Sequence, residues 1–318
     1  MLVYILFVVG FVLLIKGADW LVDGSVSIAQ RLKVPDLVVG LTVVAFGTSA
    51  PELSVNIVAS INGNNGLAIG NIVGSNIFNI LFILGICAMV KNLTVKRSTV
   101  WAEIPMSLFA ALLLGYMVND TVTDANAINQ ISRADGWVLL AMFGLFLFYI
   151  LRLAKNDVSD EVPQVAKMNL ASAVGLVALG LAGLIIGGKW IVDGAIEIAL
   201  SLGYSETFIG LTVVAMGTSL PEFATSVAAV RKGNTDIAIG NVIGSNIFNI
   251  FWILGVSALI NPVTFDVAEN MSVYTCIGAS LILFILLFVG IRHQIQRWQG
   301  LAMLVMYVGY IAYLVSLT

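Results

Sequence analysis

Charged residues are scarce in this sequence. Asp, Glu, Lys and Arg together make up 10% of its 318 residues, whereas they make up about a quarter of a soluble domain. Hydrophobic residues make up 59%, and they occur in long continuous runs. The shortage of charge excludes a soluble globular fold. The continuous apolar runs exclude a transmembrane β-barrel, because barrel strands alternate polar and apolar residues.

Cysteine and histidine are equally rare. The two cysteines, Cys87 and Cys276, lie in apolar stretches, and the single histidine is His293. So few residues of these types form neither a disulfide framework nor a zinc motif. The net charge is −3, and no basic run of the kind that binds nucleic acid occurs. We therefore expect no nucleic-acid partner, no obligate protein partner and no cofactor.

Ten apolar stretches are each long enough to cross a bilayer, which takes about 20 helical residues. They predict an all-α integral membrane protein with ten transmembrane helices and short connections. The first stretch lacks the basic start and the cleavage site of a signal peptide, so it is interpreted as a retained helix. The predicted spans are 2–24, 36–61, 67–90, 99–118, 136–153, 169–199, 206–230, 236–260, 269–290 and 298–317.

The second half of the chain repeats the first at an offset of 170 residues. Between 40–85 and 210–255, 28 of 46 positions are identical, without a gap. The sequence thus predicts one repeat over 1–153, a cytoplasmic linker at 154–168 and a second repeat over 169–318. Each repeat holds five helices, an odd number, so the second copy enters the membrane from the opposite side and is expected to be inverted.

The distribution of Lys and Arg predicts the orientation. These residues accumulate in cytoplasmic connections, and they fall almost entirely on one side if the N-terminus lies outside. Only Arg133 then lies in an outer connection. Both termini are therefore expected outside the cytoplasm. The residues in the inner connections are Arg31, Lys33, Lys91, Lys96, Arg97, Arg152, Lys155, Lys167, Arg231, Lys232, Arg292 and Arg297.

The second and seventh predicted helices each carry a glutamate near the middle of the span. The motifs are Gly-Thr-Ser-Ala-Pro-Glu at 47–52 and Gly-Thr-Ser-Leu-Pro-Glu at 217–222. A carboxylate at that depth costs roughly 2.5–3.5 kcal/mol on insertion scales, so Glu52 and Glu222 indicate a binding function. The proline interrupts the helix, and the freed carbonyls are oxygen ligands. The hydroxyl residues on the same helix face as each glutamate are Thr48, Ser49, Thr218 and Ser219.

The third and eighth predicted helices carry a second shared motif, Gly-Asn-x-x-Gly-Ser-Asn-Ile-Phe-Asn, at 70–79 and 240–249. Its serine and last asparagine are four residues apart and share a helix face. These residues are Ser75 and Asn79 in the first copy, and Ser245 and Asn249 in the second.

Together the two motifs predict one ion site at mid-membrane, with helices two, three, seven and eight broken around it. Two carboxylates, two amides and six hydroxyls would surround it, without sulfur or imidazole. Such oxygen ligands suit hard cations, and a flexible shell of six to eight oxygens fits Ca²⁺ better than Mg²⁺. Two carboxylates balance one Ca²⁺ or two Na⁺. These two ions are the expected transported substrates.

At these motifs the sequence resembles the calcium/cation antiporter superfamily, and within it the sodium/calcium exchangers. The resemblance implies secondary active exchange of Na⁺ for Ca²⁺ by alternating access, in which the first and sixth helices move against the other eight. It also implies a set of ion ligands. These are Thr48, Ser49, Glu52, Ser75, Asn79, Thr218, Ser219, Glu222, Ser245 and Asn249, with the backbone carbonyls of Ala45 and Ala215.

One position departs from part of the superfamily. Potassium-dependent exchangers and some prokaryotic relatives have aspartate where this chain has Asn249, which argues against potassium coupling. Proton/calcium antiporters have a different polar pattern after the Gly-Asn pair, so the pattern here favours sodium. Potassium-dependent exchange and proton/calcium antiport stay as alternatives. The large regulatory loop of animal exchangers is missing, which indicates a prokaryotic-type transporter of the plasma membrane.

Two other classes of protein could carry buried glutamates and serines. An uncoupled cation channel would conduct through the same ligands. An intramembrane hydrolase could use Ser49 or Ser219 as its nucleophile, but His293 lies far from either motif and could not act as the base that such a nucleophile requires.

Overall fold

The computed structural model describes residues 2–120, 128–156, 168–201 and 215–316. Over these residues the chain is almost entirely helical, as the apolar runs predict. Numbered in chain order, the helices are α1 Leu2–Leu32, α2 Asp36–Thr48, α3 Ala50–Ile61, α4 Asn65–Val90, α5 Arg97–Met117, α6 Arg133–Asn156, α7 Leu170–Ser201, α8 Ala215–Thr218, α9 Leu220–Arg231, α10 Thr235–Ile260, α11 Asn270–Leu286 and α12 Arg297–Ser316.

Eight helices of the described part are long and apolar enough to cross a membrane, and α2 with α3 forms a ninth span that bends by 46°. The expected all-helical membrane fold is confirmed. The seventh predicted span, 206–230, lies partly within 202–214, outside the described residues. The count of ten spans therefore stays a prediction.

The sequence predicts breaks in α4 and α10, which the structure does not confirm. Each continues as one span through a π-helical segment, Phe78–Ile83 in α4 and Phe248–Leu254 in α10. A π-helical turn changes the direction of side chains without ending the helix, and such turns occur frequently at functional sites. Asn79 and Asn249 lie in these two segments.

Helices α4 and α10 form the centre of the bundle. In each, 78% of the most apolar window is buried, compared with 33% in α1 and α7 and 22% in α6 and α12. The outer helices keep apolar side chains on their exposed faces, as helices in contact with lipid do. Most residues of the two central motifs are thus buried inside the bundle.

The two central helices run antiparallel. At one end of the bundle, Asn65 at the start of α4 donates a 2.6 Å hydrogen bond to Thr264, which follows α10. At the other end, Lys96, which follows α4, forms a 2.8 Å ion pair with Asp236 at the start of α10. Equivalent helices of the two halves therefore point in opposite directions.

Two short antiparallel sheets join connections of the two halves. Strand β1 (Leu93–Thr94) pairs with β4 (Gln294–Ile295), and β2 (Gln130–Ile131) pairs with β3 (Val263–Thr264). Since β1 follows α4 and β3 follows α10, the two sheets lie at opposite ends of the bundle. Each sheet ties the ends of its helices together.

Helices α1 and α7 pack against each other along their length through small residues at seven-residue spacing. A Cβ atom on Gly17 would lie 2.8 Å from the Gly180 carbonyl oxygen, so only glycine permits this approach. Small residues allow helix backbones to come close in membranes. The facing pairs are Gly10 with Gly187, Gly17 with Gly180, and Gly24 with Ala173.

Candidate ion-binding site

The two Gly-Thr-Ser-x-Pro-Glu motifs form matching helix interruptions. Ser49, between α2 and α3, has φ −80° and ψ 7°, and Ser219, between α8 and α9, has φ −89° and ψ 7°. These ψ values are outside the α-helical range. In each motif the proline follows two residues later, within the first turn of the next helix, where it is tolerated. The interruption places serine and glutamate beside each other at the centre of the bundle.

Each glutamate of the site is contacted by a serine from the other half of the chain. Ser219 Oγ donates to Glu52 Oε1 over 2.9 Å, and Ser49 Oγ lies 3.0 Å from Glu222 Oε1. Ser245 Oγ also lies 3.4 Å from Glu222 Oε1 and 3.0 Å from Ser49 Oγ. Both glutamates are at most 1% exposed. The site is therefore shared between the halves.

Two asparagines hold the interrupted helices in place. Asn241 donates to the Glu222 backbone carbonyl over 3.2 Å and accepts from the Thr48 hydroxyl over 3.1 Å. Asn71 makes the equivalent 3.5 Å bond to the Glu52 carbonyl and accepts from Thr218 over 3.3 Å. Each asparagine thus ties its own half to the other.

A second pair of reciprocal contacts lies in the π-helical region. Asn79 Nδ2 donates to Asn246 Oδ1 over 3.0 Å, and Asn249 Nδ2 donates to Asn76 Oδ1 over 2.9 Å. The amide nitrogens of Asn79 and Asn249 donate these bonds, so the side-chain oxygens of Asn79 and Asn249 point away from Asn246 and Asn76. These three pairs of cross-half contacts are related by the 170-residue offset. Two further contacts have no counterpart among the described residues, Ser49 with Ser245 and Asn76 Nδ2 with the Asn246 carbonyl at 3.2 Å.

Five oxygens of the predicted ligands are buried and accept no hydrogen bond within the described residues. They are Glu52 Oε2, Glu222 Oε2, Ser75 Oγ, Asn79 Oδ1 and Asn249 Oδ1. Buried polar groups are rarely left without a partner, since each such group costs roughly 1–3 kcal/mol. An arrangement with five of them, two of which belong to carboxylates, is typical of a cation site.

Helix α7 covers both helix interruptions. A Cβ atom on Gly47 would lie 2.5 Å from a methyl carbon of Leu181, and one on Gly217 would lie 2.2 Å from a methyl carbon of Val192. The glycine that opens each motif therefore makes room for a side chain of α7. The position of α7 is linked in this way to both sides of the site.

The structure brings the ten predicted side chains together at the centre of the bundle, all of them 9% exposed or less. Each predicted carbonyl ligand belongs to the residue four positions before the serine of its motif. The Ala45 carbonyl accepts from the Ser49 amide over 3.0 Å and from the Thr48 hydroxyl over 3.4 Å. Ala215 is the first residue of α8, next to the segment outside the described residues.

The sequence-based site omits residues that the structure places in it. Four further asparagines of the second motif contact the site. Their amide side chains could have indicated a positioning role. They are Asn71, Asn76, Asn241 and Asn246. Another buried carboxylate, Glu103 in α5, lies outside the site and accepts a hydrogen bond from the Tyr149 hydroxyl. No motif marks it, and its counterpart at the repeat offset is Val273.

The fold and this geometry define an integral membrane protein with a buried cluster of side-chain oxygens at its centre. A family model described as "Sodium/calcium exchanger protein" matches residues 2–152 and 172–316. The chain therefore belongs to the sodium/calcium exchanger family.

Several characterised or named relatives are similar over nearly the whole chain. The "Putative antiporter CaxA" of Alkalimonas amylolytica is 39% identical, and the "Sodium/calcium exchanger MaX1" of Methanosarcina acetivorans is 32% identical; each alignment covers 98% of both chains. The "Inner membrane protein YrbG" of Escherichia coli is 38% identical over 89% of this chain and 87% of its own length.

A solved structure of the sodium-calcium exchanger NCX_Mj, soaked with Na⁺ and Ca²⁺, has the same fold. It superimposes with a TM-score of 0.83 at 36% sequence identity and covers 98% of each chain. The resemblance to exchangers is thus confirmed at the level of family and fold. The family is one of exchangers, which are transporters.

Proposed function

We propose that the protein exchanges Na⁺ for Ca²⁺ across a prokaryotic plasma membrane, with the ten predicted side chains as ion ligands. The observation that carries this proposal is the set of five buried, unpartnered oxygens around Glu52 and Glu222. They include two carboxylates, which balance one Ca²⁺ or two Na⁺. Oxygens of this kind prefer hard cations.

Sodium is favoured over protons as the coupling ion. Two relatives of this chain over nearly its full length are named as sodium/calcium exchangers. The hydroxyl and amide oxygens beside the glutamates would be ligands for Na⁺, whereas a proton would require only the carboxylates. Asn249 supplies a neutral amide where potassium-dependent relatives have a carboxylate, which argues against a potassium site.

The architecture that we propose has two inverted five-helix repeats, 1–153 and 169–318, joined by a cytoplasmic linker at 154–168, with both termini outside. The antiparallel course of α4 and α10 supports it, as does the pairing of contacts at the repeat offset. Transporters of this kind bind substrate between the repeats and open to each side in turn. In this chain α1 and α7 would be the moving helices.

The test uses purified protein in sodium-loaded liposomes. Calcium uptake should require an outward sodium gradient, should be absent from choline-loaded vesicles, and should respond to voltage if more than two Na⁺ exchange for one Ca²⁺. Uptake that a pH gradient drives without sodium would identify a proton antiporter. Uptake that voltage alone drives in choline-loaded vesicles would identify a channel. Either result would overturn the proposal.

A further inference from the structure

The sheet formed by β1 and β4 gathers basic residues from distant parts of the sequence. Leu93 pairs with Ile295 and Thr94 with Gln294. The pairing continues on both sides, since the Val95 amide donates to the His293 carbonyl over 2.9 Å. Segments about two thirds of the chain length apart thus form one surface.

This surface, here called the basic surface, carries five exposed cationic side chains. No acidic residue occurs within 90–98 or 289–298. Only Lys96 has an acidic partner, Asp236, among the ion pairs of the described residues. The members of the basic surface are Lys91, Lys96, Arg97, Arg292 and Arg297.

The basic surface lies where apolar spans end. Helix α4 ends just before it, and α5 and α12 begin at Arg97 and Arg297. Trp101, one turn after Arg97, and Trp298, the residue after Arg297, are about half exposed. Trp101 packs edge-on against Phe288 with ring centroids 5.6 Å apart. Tryptophan is enriched at the membrane–water interface. The cations are therefore at the depth of the lipid phosphates.

The equivalent sheet at the opposite end shows that folding does not require these charges. Strand β3 corresponds to β1 at the repeat offset, and the positions equivalent to Lys91, Lys96 and Arg97 are Asn261, Asp266 and Val267. The same two-stranded pairing forms there without these three cations, although Arg133 follows β2 as Arg297 follows β4. The general excess of positive charge on cytoplasmic connections explains the sign of the charge, but not its concentration on one sheet flanked by exposed tryptophans.

We propose that the basic surface binds the headgroups of anionic phospholipids. A lipid phosphate accepts hydrogen bonds from arginine in a bidentate geometry, and clustered cations beside a transmembrane helix attract anionic lipid. Four of the five cations have no acidic partner in the described part of the chain, so their charge is available to lipid. The interaction is separate from ion exchange and does not depend on the transported ions.

The test measures lipid preference by tryptophan quenching. The protein is reconstituted in phosphatidylcholine vesicles that contain increasing fractions of brominated phosphatidylglycerol or brominated phosphatidylcholine, and the two curves give a relative binding constant. The wild type should prefer phosphatidylglycerol. The double variant Arg97→Gln/Arg292→Gln should lose at least about fivefold of that preference, since each cation near the surface contributes about that factor.

Two controls keep the result specific. Lys33→Gln/Lys155→Gln removes the same charge from other connections and should leave the preference unchanged. Arg97→Lys/Arg292→Lys keeps the charge and should retain most of it. An equal preference in wild type and Arg97→Gln/Arg292→Gln, or an equal loss in the Lys33→Gln/Lys155→Gln control, would overturn the proposal. Calcium exchange measured on the same vesicles reports on the proposed function independently.

Discussion

Ser219 donates a hydrogen bond to Glu52 over 2.9 Å, although 167 residues separate them in the sequence. The reciprocal contact joins Ser49 to Glu222. Each carboxylate is thus oriented by a hydroxyl from the opposite half, and neither half contains a complete site. Both acids belong to one arrangement of side chains, which leads to the first two predictions.

Substitution of the oriented carboxylates should abolish transport. Glu52→Gln or Glu222→Gln removes one of the two negative charges that balance Ca²⁺, so sodium-dependent calcium uptake in liposomes should fall to background while the protein still purifies as a folded monodisperse species. Glu103→Gln is the matched control, because Glu103 is equally buried but bonded to Tyr149 outside the site. Normal uptake by either site variant would contradict the assignment.

Removal of the orienting hydroxyl should weaken calcium binding without abolishing it. A hydrogen bond to a charged group contributes about 1.5–3 kcal/mol, so Ser219→Ala should raise the apparent KM for Ca²⁺ by roughly tenfold or more. The control is Ser54→Ala, since Ser54 is exposed and its hydroxyl bonds only to the Ala50 carbonyl of its own helix. An unchanged KM in Ser219→Ala would show that the serine is not a ligand or a positioning group.

Asn249 offers a test of ion selectivity. Its amide nitrogen donates to Asn76 and its oxygen is unpartnered, so Asn249→Asp keeps an oxygen at the same place and adds a negative charge. We expect the sodium or potassium dependence of exchange to change, measured as initial calcium uptake against each cation. Asn79→Asp makes the same change at the repeat-related position. Identical ion dependence in wild type and Asn249→Asp would show that this position does not discriminate.

The packing of α1 against α7 should not tolerate a methyl group. A Cβ atom on Gly180 would lie 2.6 Å from the Leu21 backbone nitrogen, so Gly180→Ala must separate the helices. Overpacking of this kind costs typically 1–3 kcal/mol, and a lower thermal unfolding temperature in detergent is expected. Gly175→Ala, on the exposed face of the same helix, should have little effect. Equal unfolding temperatures for the wild type and Gly180→Ala would show that α1 and α7 are not tightly packed.

Lys232, which follows α9, should restrain the proposed movement of α1. Its ammonium lies 2.8 Å from Asp23 and 3.4 Å from Asp19 of α1, and a shift of α1 must separate these groups. Exposed ion pairs contribute about 0–1 kcal/mol, so Lys232→Gln should raise the maximal exchange rate by a factor of about two to five. Lys189→Gln is the control, because Lys189 pairs with Asp193 within α7 and moves with it. A slower or unchanged rate in Lys232→Gln would contradict this role.

Much of the fold and the site follows from the sequence because the internal repeat fixes both. Apolar length predicts the spans, and the duplicated motifs select Glu52 and Glu222 together with their neighbouring hydroxyls. The repeat does not predict which groups contact each other across the two halves, since that depends on how α4 and α10 cross. The roles of Asn76 and Asn246 appear only in that crossing.

The sequence predicts the local backbone geometry at the two interruptions but not at the two π-helical segments. Prolines mark the interruptions at Ser49 and Ser219, because proline cannot continue the hydrogen bonding of the preceding helix. The π-helical segments in α4 and α10 contain no proline, and the sequence predicts a break where each helix continues. Glu103 has no repeat partner and no motif, which leaves nothing in the sequence to identify its burial.

The close packing of glycines between α1 and α7 has a consequence for the exchange that we propose. Backbone meets backbone between α1 and α7, so no layer of flexible side chains allows one helix to slip past the other. Both helix interruptions lie under α7, at Leu181 and Val192. If α1 and α7 move as one rigid unit, α7 uncovers one helix interruption only as it covers the other. Ions then cannot leak across the membrane without exchange.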